Sequence, residues 1–202
     1  MSNKDIDKLK DLSKSCEPDY RQKYFSTTLE IEHDALSQTA INETAPRTTV
    51  QLFETAKNLS LYSWFVYRFH QVSELIAFSA LEVALKEKYL LENPSGRSEK
   101  KQGRLTLFKL LEYGKKNQWI KNEGFSSLYR RARRFAEEKK NREKAEAHDF
   151  EKEPEMFCEE PTAQEIDDAL RSIDLVSAVT ENTNKHRNNL AHGSNTLQVI
   201  KS

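Results

Sequence analysis

From Leu61 the chain sets an apolar or small side chain every three or four residues through Phe65, Phe69, Val72, Ile76, Ser79 and Val83. That period is the signature of a core-facing helix and is incompatible with the alternation of a strand. Five glycines and five prolines in 202 residues leave few points at which helices can be broken. Leu, Ala, Glu and Lys are abundant, all residues that lose little on entering a helix. The expected fold is therefore all-α, an up-and-down bundle of about four main helices with N-terminal helical additions.

The breaks divide the chain. Residues 1–46 are polar, with helices expected over Asp5–Ser13 and Tyr20–Ser37, and Thr44-Ala45-Pro46 separates them from the apolar mass of residues 48–92. Asn93-Pro94-Ser95-Gly96 ends that mass. Leu105–Tyr113 reads as a short amphipathic helix capped by Gly114, and Phe125–His148 as a charged helix. Thr162-Ala163-Gln164-Glu165 has the form of a capping box, from which a helix is expected to run towards Leu190 and to stop at Gly193. Residues 1–46 are thus expected to form an extension, and 47–202 the bundle.

Several function classes drop out. Met1-Ser2-Asn3-Lys4-Asp5 is polar and has no apolar h-region, so no secretory leader is expected. The most apolar stretch, Leu75–Leu85, is interrupted by Glu82 and too short to span a bilayer. Cys16 and Cys158 have no metal or redox spacing and read as free thiols of a cytoplasmic protein. Glu30-Ile31-Glu32-His33 holds one Glu-x-x-His, which di-iron bundles need twice. No cofactor loop and no metal cluster is legible. The aromatic run from Tyr62 to His70 could serve as a stacking surface, but its helical period favours core packing.

Charge is balanced overall, with 32 basic and 32 acidic residues, and polarised locally. Arg130 to Lys144 carries eight basic residues against three acidic ones, while Asp149 to Asp168 carries nine acidic against one basic. Arg130, Arg131, Arg133 and Arg134 are candidates for RNA phosphates. The acidic stretch could equally pair with that helix and mask it.

One segment combines residue types suited to a reaction. Counting in heptads from Ile166 through Ile173 and Thr180 reaches Arg187, so a guanidinium stands in line with a core stripe. That position is costly unless the group is paired or lines a cavity. Asn188, Asn189, Leu190, Ala191, His192 and Gly193 follow. Cleavage of RNA by its own 2′-hydroxyl needs a group to take that proton and a cation to stabilise the phosphorane, roles suited to His192 and Arg187.

The string Arg-Asn-Asn-Leu-Ala-His-Gly resembles the motif of HEPN domains, helical bundles whose active members carry Arg-x(4–6)-His, often with Asn after the Arg. Ser79-Ala80-Leu81-Glu82-Val83-Ala84-Leu85-Lys86 is similar to the second helix of many such domains. The resemblance covers residues 50–200. It implies a metal-independent endoribonuclease without cofactor, of toxin or phage-defence type, that dimerises to bring two motifs into one cleft and can have an antitoxin partner. By the same resemblance Arg187 and His192 are catalytic and Asn188 is their polar companion. Glu82 and Glu74, beside the core stripe of the upstream helix, are candidates to tune His192.

The whole string carries this resemblance, not its spacing. Twelve arginines and five histidines give about one Arg-x(4–6)-His pair by chance, and Arg142 with His148 supplies a second. Helix geometry adds a constraint, since five residues turn a continuous helix by about 500° and leave Arg187 and His192 about 140° apart. Either the helix unwinds at Asn188-Asn189 or a two-fold partner completes the site. The rival readings are a non-catalytic HEPN-like module that binds RNA or protein, and an assembly protein in which Arg187 only pairs with a carboxylate.

Overall fold

The computed structural model describes residues 7–94, 105–149, 152 and 155–191, and among them the all-α class holds, with seven α-helices and no strand. These are α1 (Leu29–Ser37), α2 (Arg47–Tyr62), α3 (Phe69–Glu92), α4 (Leu107–Lys116), α5 (Leu128–Ala147), α6 (Ala163–Ser172) and α7 (Leu175–Ala191). No helix among the described residues is long and apolar enough to cross a membrane. The chain divides into two compact units, Met1–Leu110 with Lys185–Ser202 and Leu111–Asn184.

In the first unit α2 and α3 pack as a helical hairpin. Ala56 and Ala80 are buried there, and the Ser73 hydroxyl donates to the Ala56 carbonyl at 2.9 Å, so a polar group inside the hairpin is satisfied across it. The helix expected to run unbroken from Leu61 to Val83 is instead interrupted between Tyr62 and Phe69. The cause lies in the N-terminal segment. Asp19 N–H donates to the Trp64 carbonyl at 2.9 Å, and Tyr67 N–H donates to the Asp19 carboxylate at 3.5 Å. Long-range bonds thus take backbone groups that a helix would have used. The break re-registers the face, leaving Val72 42% exposed while Ser73 is buried.

Asp19 is itself a hub. Arg21 binds it through Nε at 2.7 Å and through a second guanidinium nitrogen at 2.8 Å, and stacks over the buried Tyr67 ring at 4.4 Å. Burial acts to raise the Asp19 pKa, but the Arg21 hydrogen bonds and charge outweigh it and hold the carboxyl below the usual range. Of the helices expected over Asp5–Ser13, whose first two residues lie outside the described ones, and Tyr20–Ser37, the described residues show 3₁₀ turns at Leu12–Lys14 and Tyr20–Tyr24 and α1. Asp11, Asp19 and Thr28 side chains accept backbone N–H groups and start each piece afresh, as these residue types do at caps.

In the second unit α5 and α6 meet through Ala132, Ala136, Ile166 and Ala169, with Leu170 and Ile173 packed against them. The capping box forms as expected, Thr162 and Glu165 bonding reciprocally. The helix expected from there to Leu190 divides at Ile173 and Asp174. The Asn122 amide donates to the Ile173 carbonyl at 3.1 Å and accepts from Val176 N–H at 3.1 Å, holding both sides of the break. Asp174 then accepts from the Ser177 N–H at 2.9 Å and from its hydroxyl, which restarts the helix.

Gly114 is not a cap either. It lies within α4, its carbonyl accepts from Trp119 N–H at 2.8 Å, and the left-handed turn falls at Gln118, φ 56°.

Candidate functional site

Within α7, Val176, Thr180, Thr183, Arg187 and Leu190, spaced by four, three, four and three, are all buried or half-buried, as are Leu175, Ser177, Val179 and Asn188 beside them. The expected stripe therefore survives the break upstream, because both Thr180 and Arg187 lie on the new helix. Thr180 is 1% exposed and its hydroxyl bonds back to the Val176 carbonyl at 2.8 Å, so the buried oxygen needs no outside partner.

At the C-terminal end of α7, residues from Lys185 on belong to the same unit as α3. Glu74, Phe78 and Glu82 of α3 are four residues apart and so share one helix face. Arg187 meets Glu82 at 3.5 Å, with 37% of the Arg187 and 29% of the Glu82 side chain exposed. A second guanidinium nitrogen donates to the Asn188 side-chain oxygen at 3.5 Å. His186, which the motif passes over, is bound more closely: its Nε2 lies 3.0 Å from a Glu74 oxygen, and its ring stands edge-on to Phe78. An ionised carboxylate only accepts, so this contact places a proton on Nε2. The sequence offered one signal for His186, a histidine directly beside the motif Arg and facing a helix that carries two glutamates.

Arg187 and Asn188 are thus brought together, and Glu82 serves Arg187. Glu74 serves His186. His192 and Gly193 lie outside the described residues. The helix does not unwind at Asn188-Asn189, for α7 continues through both to Ala191.

A further histidine sits beside the α2–α3 break. His70 Nε2 lies 3.0 Å from the hydroxyl of Ser63, itself 2% exposed. That hydroxyl donates to the Ser60 carbonyl at 2.5 Å, so its proton is committed and it accepts from the imidazole. Burial lowers the His70 pKa, against which the charges of Glu74 and Glu32 act. The aromatic run from Tyr62 to His70 forms this connection, with Tyr67 buried, Trp64 and Phe65 half-buried and Tyr62 53% exposed, so core packing holds for only part of it.

The basic helix splits by flank. Lys140 reaches Glu159 at 3.6 Å and Glu165 at 3.5 Å, Lys144 reaches Glu159 at 2.9 Å, and Arg133 reaches Glu160 at 3.3 Å. The Lys144 hydrogen bond, aided by the charges of both lysines, holds the Glu159 carboxyl below its usual range. Arg134 is engaged by Glu138 one turn along, at 2.8 Å. Arg130 and Arg131 are exposed and have no carboxylate within ion-pair distance among the described residues.

No family model matches the chain, and neither a curated protein nor a solved structure matches it at a significant level.

Proposed function

We propose that the chain is a metal-independent endoribonuclease of HEPN type, acting as a homodimer in a toxin or phage-defence role. The observation that carries the reading is the position of Arg187. It stands on the half-buried row of α7 and keeps 37% of its side chain exposed, with Asn188 beside it and, among the described residues, one carboxylate contact, to Glu82, at 3.5 Å. A guanidinium so held is oriented by its neighbours and still open to a phosphate on its remaining N–H groups. The 2′-hydroxyl of the RNA attacks the adjacent phosphorus and the 5′-oxygen leaves. Arg187 stabilises the charge that builds on the phosphoryl oxygens, and His192 transfers the proton.

The uninterrupted course of α7 through Asn188 and Asn189 supports the dimer, since the unwinding at those two residues that would let one chain complete the site does not occur. The test is incubation of RNA in EDTA with wild type, Arg187→Ala and His192→Ala. Cleavage by wild type alone is expected, with partial activity returning when the two inactive variants are mixed and re-formed as dimers. Equal products from all three proteins, or none from wild type, would remove the nuclease reading.

The Glu82 contact also favours a second reading, in which Arg187 only clasps α7 to α3. There, Arg187→Ala loosens the fold and no RNA is cleaved by any form.

A further inference from the structure

Two concavities flank α5, and they differ in charge. The first, about 360 Å³, is lined by Lys139, Lys140 and Arg142 against Glu143, Glu165 and Asp168, so its charges balance. The second, about 560 Å³, has Arg130, Arg131 and Arg134 against Glu138 alone, with Phe135, Ile173 and Leu175 completing it. Its α5 residues fall within an arc of about 140° on one side of the helix. The acidic residues 159, 160 and 165 engage Arg133, Lys140 and Lys144, and among the described residues no carboxylate pairs with Arg130 or Arg131.

The second groove therefore joins an unbalanced positive rim to an apolar wall. Phe135 is 48% exposed, and Leu175 beneath the groove is 6% exposed. Arginine forks suit phosphate oxygens, and an exposed aromatic ring suits the face of a base. A duplex hides its base faces in the stack, so an occupant that uses both features has unpaired bases.

We infer that this groove binds single-stranded RNA, with phosphates on Arg130 and Arg131 and a base against Phe135. The choice of RNA over DNA rests on the ribonuclease reading, whereas the charge and stacking argument stands without it. Arg133, although within the same basic run, is excluded from the contact by its pairing with Glu137 and Glu160.

The test is fluorescence anisotropy of the full chain with a labelled 2′-O-methyl oligouridylate, which cannot be cleaved through its 2′-oxygen. With two arginines at phosphates, log affinity is expected to fall against log salt with a slope of about −1.4. Arg130→Gln and Arg131→Gln each reduce that slope by about 0.7. Phe135→Ala and Phe135→Leu weaken binding about tenfold at unchanged slope, and the base-paired form of the oligomer binds more weakly. Lys144→Gln leaves affinity as it was. Circular dichroism melts of each variant show that the exposed sites do not disturb the fold.

No binding by wild type at low salt, equal affinity for the duplex, displacement by polyglutamate at equal charge, or indifference to Phe135→Ala would each overturn the proposal. Groove binding without cleavage in the EDTA assay removes the ribonuclease reading and leaves the groove. Cleavage without dependence of binding on Arg130, Arg131 and Phe135 overturns the groove alone.

Discussion

Arg187 on α7 reaches Glu82 on α3 at 3.5 Å, while its neighbour His186 reaches Glu74 at 3.0 Å on the same face of α3. Two consecutive residues of the last helix thus engage two glutamates separated by two turns, about 12 Å along the α3 axis. The His186–Glu74 pair is about half exposed and the Arg187–Glu82 pair about a third, so solvent screens both, and neither is expected to contribute much energy alone. Their effect is to fix where the Arg187 side chain points. This fixing serves the nuclease and the clasp readings alike, which is why the two must be separated by chemistry.

A double-mutant cycle measures the pair directly. Glu82→Gln and Arg187→Gln in urea unfolding are expected to show a coupling of about 0.5–1 kcal/mol, the range of partly screened ion pairs. A coupling indistinguishable from zero would mean that the two side chains do not meet in solution.

Gly114 and Gln118 invert the usual expectation for glycine. Gly114 is helical, and a Cβ there would stand 3.4 Å from Trp119 Cε3 and 3.6 Å from Ile120 Cδ1, ordinary contact distances. Gly114→Ala is expected to stabilise the chain by about 0.5–1 kcal/mol. Gln118, at φ 56°, is expected to gain about 1 kcal/mol as glycine. Thermal melts check both; a loss of stability in Gly114→Ala would restore it as a cap.

His70 gives the protein an acid-sensitive element. Its folded pKa is lowered, first by burial, so the unfolded chain takes up this proton at a higher pH than the native one. Stability from this group is complete above the unfolded value near 6.5 and declines as pH falls from there towards the folded pKa. His70→Gln is expected to flatten the urea midpoint between pH 7.5 and pH 5.5, in comparison with wild type. Asp19, also lowered, acts in a separate window: its contribution is present above the unfolded value near 3.8 and is lost as pH falls through the folded pKa. An unchanged slope in His70→Gln would show that another group drives the acid response.

The Asp19–Arg21 pair is expected to be the most costly polar contact of the N-terminal segment to break. Asp19→Ala leaves the Arg21 guanidinium with one carboxylate fewer and frees the Tyr67 and Arg21 backbone N–H groups. A loss of about 1–3 kcal/mol follows, or several degrees in Tm. Arg21→Lys, which keeps charge but not the fork, is expected to lose part of it. Equal melting of Arg21→Lys and wild type would show that charge alone suffices.

The sequence made the helices legible and misplaced several of their ends. Periodicity found the apolar mass of α2 and α3 but ran through Ser63–Arg68, because nothing local announces that Asp19, more than forty residues upstream, will bond to Trp64 and Tyr67. The division at Asp174 had a local sign, Asp with Ser three residues on, but Asn122 does half of the holding from a distant turn. At the candidate site Arg187 and Asn188 stood out by residue type and position, and Glu82 by its place on α3. His186 was missed because a motif directs attention to its own spacing. The pairing of acidic residues with the basic helix was legible as opposite charge, but which cations it engages depends on helix phase.

The seam between α5 and α6 is built on small residues: Ala132 is 0% exposed, Ala136 4% and Ala169 5%. Ala132 is wholly enclosed, whereas Ala136 and Ala169 border the first concavity beside α5, so an isobutyl side chain at 132 must displace packed neighbours and costs about 1–3 kcal/mol. The tolerance of α5 to mutation is therefore the reverse of its appearance. Its conspicuous charges can be exchanged one at a time at small cost to folding, while the chemically silent Ala132 cannot grow. In a library that varies every position of this helix, survival will be decided first at Ala132, while the arginines are positions that folding leaves free to change.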